Sequence, residues 1–121
     1  MILTLIFAAT VAQAAPAPAP ARLSAEASDA RCVVILGFIG NQPNQPAARL
    51  EAVRTGSAYY MGKLRGRNPN LNLTQALGAA AQLAQAQKVN VVAESQRCGG
   101  ELTAIAAQTR PAPAAATPRK P

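Results

Sequence analysis

Ser28-Asp29-Ala30-Arg31-Cys32-Val33-Val34-Ile35-Leu36-Gly37-Phe38-Ile39 is the stretch on which the fold turns. Read as a helix, it is capped by Ser28, with Asp29 in the first turn where a negative charge suits the helix dipole. Cys32, Ile35, Leu36 and Ile39 then share one face. Read as a strand, Val33 to Ile39 is a buried apolar run, and periodicity alone does not separate the two in so short a segment. Gly37-Phe38-Ile39-Gly40 also has the spacing of a loop that clamps nucleic-acid backbone, but such a loop needs polar or basic central residues. The loop Asn41-Gln42-Pro43-Asn44-Gln45-Pro46 closes the segment.

Three further helices follow from the pattern. The second spans Ala47 to Arg65, with Leu50, Val53, Ser57, Tyr60 or Met61, and Leu64 as its apolar stripe. Gly56 and Gly62 weaken it by about 1 kcal/mol each relative to Ala, while allowing close approach of another helix. Gly66 is read as a left-handed cap, with Pro69 preventing continuation. The third helix starts after Asn72, which with Gln75 resembles a capping box, and Leu73, Leu77, Ala80 and Ala84 line one side. This reading takes precedence over the glycosylation signal Asn72-Leu73-Thr74. The fourth runs from Val91 to Gln108, capped by Asn90, along the seam Val91, Ser95, Cys98, Leu102 and Ile105. The expectation is an all-α domain of four helices.

Cys32 and Cys98 both fall on faces turned toward a core. A disulfide between them would tie the first helix to the last; two buried free thiols are the alternative. An even cysteine count suits a small exported chain. Export is also what the start of the sequence suggests. Ile2 to Ala12 is a short apolar run reaching about 16 Å as a helix, about half a bilayer core, so no transmembrane span is expected. Ala12-Gln13-Ala14 is a small-x-small cleavage site. No Lys or Arg precedes the run. The plan is therefore a signal peptide over 1–14, an Ala/Pro linker over 15–23, a helical domain over 24–109 and a disordered basic tail over 110–121.

The chain has 121 residues, twelve basic and five acidic, for a net charge of +7. Eight basic and all five acidic residues lie between Ser24 and Thr109, leaving that domain at +3. With no His, and no thiolate left if the two Cys pair, the inventory for catalysis or metal binding is poor. Tyr59-x-x-x-Lys63 has the spacing by which a lysine lowers a tyrosine pKa in short-chain dehydrogenases. The dinucleotide fingerprint is missing, however, and the chain is too short for a Rossmann sheet. No catalytic residue, metal site or cofactor is assigned. Lys63, Arg65 and Arg67, with Arg54 upstream, form the densest basic patch and are the candidate anion-binding residues. Export turns the expected counter-charge from nucleic acid to anionic envelope polymers or lipids.

Asp29-Ala30-Arg31-Cys32, Gly56 to Leu64 (GSAYYMGKL), Arg67-Asn68-Pro69 and Gln96-Arg97-Cys98-Gly99 resemble small exported proteins of alphaproteobacteria, of the sphingomonad kind. The likeness spans about two thirds of the chain. It implies a bacterial envelope setting, periplasmic or secreted, and brings no activity. Two classes share this general plan, periplasmic acid-stress chaperones and immunity proteins that inhibit toxins. The leading expectation is a non-catalytic protein binding anionic envelope components through the basic patch. The alternative is a chaperone-like or inhibitor-type protein with a periplasmic protein partner.

Overall fold

A computed structural model of the protein describes residues 22–111 as four helices. They are α1 (Ala25–Gly40), α2 (Ala47–Arg67), α3 (Leu73–Ala86) and α4 (Val91–Thr109). The expected signal peptide, and most of the expected Ala/Pro linker and basic tail, lie outside the described residues. Among the described residues there is no strand, and none of the helices is long and apolar enough to cross a membrane.

The strand reading of Val33 to Ile39 fails because α1 is the axis of the domain. Every other helix packs on it, and α3 comes close to α1 alone. Its buried residues therefore lie on several sides: Asp29, Ala30, Arg31, Cys32, Val33, Ile35 and Leu36. A helix surrounded in this way loses the one-sided periodicity by which surface helices are recognised. The start of α1 also differs from expectation. Ser24, not Ser28, is the cap, its Oγ accepting from the Ala27 backbone N–H at 3.1 Å. Ala25, Glu26 and Ala27 extend the helix readily, and Ser28 Oγ instead accepts from Arg97 Nη1 at 2.8 Å.

Contacts along the axis fix the directions of the helices. α2 runs antiparallel to α1: Gly40 lies against Val53 and Gly56 against Leu36, while Arg67 reaches Asp29. α3 runs back alongside α1, with Ala76 and Ala80 near Ala27 and Ala30, and Ala84 near Ile35. α4 is again antiparallel, with Val91 beside Leu36 and Ile39, and Arg97 at Ser28. Cys98 meets Cys32 in a disulfide with Cα atoms 5.7 Å apart, joining the first helix to the last as expected. Tyr60, Leu64, Cys32 and Cys98 are fully buried, with Ala30, Val33, Leu36 and Ala80 around them.

The caps of α3 and α4 match the sequence reading: Asn72 Oδ1 accepts from Gln75 N and Asn90 Oδ1 from Ala93 N, both at 3.0 Å. The end of α2 does not. Gly66 stays helical and no described glycine has a positive φ. Pro69 instead drives the residue before it out of helical geometry, and Asn68 is extended at φ −139° and ψ 92°.

The two glycines of α2 prove to be different cases. A Cβ on Gly56 would meet Leu102 Cδ1 and Leu36 Cδ1 at 2.9 Å, whereas one on Gly62 would meet nothing within 4 Å. Gly62→Ala is therefore expected to raise stability by up to about 1 kcal/mol through helix propensity alone. Gly56→Ala should gain less, because both leucines must move, and Gly56→Leu should cost about 1–3 kcal/mol. Denaturant unfolding of the three variants checks the order.

Candidate functional site

One face of α2 carries Tyr59, Lys63 and Arg67 at successive turns, and it meets a carboxylate from each of α1 and α4. Lys63 Nζ donates to Asp29 Oδ1 at 3.0 Å and also to Glu101 Oε1. Arg67 Nη1 donates to Asp29 Oδ2 at 2.8 Å. The two carboxylates come together because of the cross-link. Asp29 lies one turn before Cys32 and Glu101 one turn after Cys98, so in antiparallel helices both fall at the same end. Two such charges repel unless cations stand between them.

The tyrosines complete the cluster. The Tyr59 hydroxyl donates to Glu101 Oε1 at 2.9 Å. The Tyr60 hydroxyl lies 2.7 Å from the Cys98 carbonyl oxygen and 3.2 Å from Glu101 Oε2. Its single hydrogen is shared between these two acceptors. The rings meet edge to face at 5.0 Å, and Lys63 Nζ lies 5.5 Å from both centroids. Lys63 thus has two carboxylates and two aromatic rings as partners.

Titration behaviour follows from this geometry. Burial opposes the charge on Lys63, but hydrogen bonds to Glu101 and Asp29 outweigh it and its pKa is raised. Burial likewise pushes Glu101 up, yet the hydrogen bonds from Lys63 and Tyr59 and the lysine charge lower it on balance. Both tyrosines are raised, first by burial and then by Glu101. A catalytic Tyr/Lys pair needs the opposite, a lysine that depresses the tyrosine pKa. In this cluster Glu101 stands between them, and the shifts carry all four groups away from neutrality. The arrangement fastens α1, α2 and α4 together.

The four residues named from the sequence do not form one patch. Lys63 and Arg67 are engaged in ion pairs. Arg54 and Arg65 are exposed, and Arg54 lies nine residues from Lys63, about half a turn around the helix. Arg54 and Arg65 share a face but are separated by about 16 Å along the axis. The sequence reading missed Glu101, and it took Asp29 for a first-turn dipole charge.

Among the described residues no group of three or more Cys, Asp or Glu side chains is arranged to hold a metal ion. Comparison of the chain with protein-family models, curated proteins and solved structures gave no match.

A lowered carboxylate pKa stabilises the fold above the ordinary Glu value and is lost as pH falls through the folded one. For Glu101 the contribution is complete above 4.5 and disappears in more acidic solution. Melting temperature should therefore fall in acid for the native chain, and Glu101→Gln should flatten that acid limb. The raised Lys63 acts oppositely, its contribution being complete below 10.5 and lost as pH rises through the higher folded value. Melting curves from acidic to alkaline pH measure both limbs.

Proposed function

We propose that this is an exported, non-catalytic protein, periplasmic or secreted, that associates with an anionic lipid surface of the envelope. The observation that carries this reading is an apolar end of the helix bundle flanked by cations. Phe38 and Val92 are 52% and 65% exposed there. Two adjoining grooves meet at Val91. One contains Phe38 and Lys88, the other Val92 and Arg49, and neither is lined by a carboxylate. Apolar groups that enter the head-group boundary, with cations beside them, are what binding to an anionic interface requires.

This moves the proposed contact away from the residues picked out by sequence density. Lys63 and Arg67 are balanced by Asp29 and Glu101, so they offer little net charge to a surface. Arg54 and Arg65 can add long-range attraction without sharing the apolar end. The export reading is supported by the disulfide, which persists in oxidising compartments and is rare in the cytosol. The non-catalytic reading is supported by a polar cluster whose groups are paired and shifted away from neutral pH.

Co-sedimentation with phosphatidylglycerol vesicles, against phosphatidylcholine vesicles, tests the proposal. Binding should be confined to the anionic vesicles and weaken with salt. Arg49→Gln and Lys88→Gln should each lower it about fivefold, and Phe38→Ser about tenfold. Equal binding to both vesicles, or losses that follow Arg54 and Arg65 instead, would overturn it. Salt-insensitive association with a periplasmic protein through the same apolar end would favour the chaperone-like or inhibitor alternative.

A further inference from the structure

Arg31 is 6% exposed, yet among the described residues no carboxylate lies within ion-pair distance of it. A guanidinium cannot relieve burial by losing its proton. Its one hydrogen-bond partner is neutral: Nη2 donates to Gln87 Oε1 at 2.6 Å. The C-terminal end of α3, where Gln87 stands, supplies about half a negative charge. That leaves charge uncompensated and donors free. Every side-chain nitrogen without a partner keeps some exposure, so Nε and Nη1 are not sealed off.

Arg31 lines a cleft of about 190 Å³ between α1 and α3, walled by Ala30, Ala76, Ala80 and Leu83. An enclosed cavity of about 150 Å³ holds a benzene molecule, and this cleft is of similar volume but open to solvent along one side. The volume therefore suits a small apolar body, and the guanidinium suits one anionic head. Glu26 lines the same cleft without pairing with Arg31. Its offset of five residues turns it about 140° around α1, outside the positions at which helix neighbours pair.

We infer that the α1–α3 cleft is a binding site for a small apolar monocarboxylate, whose carboxylate meets the free donors of Arg31 while its hydrocarbon part covers the alanines. A charge-assisted hydrogen bond to a carboxylate is about twice as strong as a neutral one. It gives the buried cation the counter-ion that the chain itself does not supply. The site is separate from the apolar end of the bundle and does not depend on its role.

The test is titration of the full chain with hexanoate, with hexanol of the same chain length as control, followed by NMR of the alanine methyl groups and the Arg31 side chain. Hexanoate should give saturable shifts at Ala30, Ala76, Ala80 and Arg31, with hexanol about tenfold weaker. Glu26→Gln removes a like charge and should tighten hexanoate binding. Ala79→Leu places bulk in the cleft from an exposed position. It should abolish binding while leaving the circular-dichroism melt unchanged. Equal affinity for hexanoate and hexanol would overturn the inference, as would binding indifferent to Ala79→Leu or no saturation up to about 10 mM. Arg31 would then serve only to close the end of α3.

Discussion

Cys32 and Cys98 lie fully buried between α1 and α4, and the rest of the domain is arranged around the bond they share. The core that surrounds it is small. Tyr60 and Leu64 are its largest fully buried side chains, and alanines make up much of the remainder. A domain of this size buries too little apolar surface for a wide stability margin. The cross-link spans a sequence separation of 66, and restricting the unfolded chain over such a loop contributes about 4 kcal/mol.

The same bond creates the electrostatic problem that α2 solves. It brings Asp29 and Glu101 to one end of the antiparallel pair. Lys63 answers both carboxylates, Arg67 answers the more deeply buried one, and the tyrosine hydroxyls satisfy Glu101. The backbones of α2 and α4 approach one another at few places, so this cluster and the Gly56–Leu102 contact carry much of their association. Of the four basic residues that stand out in the sequence, Lys63 and Arg67 are thus committed to holding three helices in register, while Arg54 and Arg65 stay exposed.

Much of this was legible before the structure. The four helices, the caps Asn72 and Asn90, and the cysteine faces depend on local spacing, which a sequence displays directly. The helix starts one turn before Ser28 because Ser24 is as good a cap, the residues between them favour helix, and Ser28 Oγ is taken by Arg97 from another helix. The strand alternative for Val33 to Ile39 stayed open because a central helix buries several sides at once. Lys63 and Arg67 were grouped with Arg54 and Arg65 by closeness along the chain, although the helical turn parts them. The partners of Lys63 come from other helices, and placing them requires the disulfide first. With that bond granted, the one-turn offsets of Asp29 and Glu101 from the cysteines are the signal that locates the cluster.

Equilibrium unfolding of the oxidised and the reduced, alkylated protein at neutral pH measures the central claim. Reduction is expected to remove about 4 kcal/mol, leaving a domain that is marginally folded and melts far lower. A reduced protein that unfolds cooperatively at the same midpoint as the oxidised one would contradict the account, because the helices would then be held by packing and ion pairs without the cross-link.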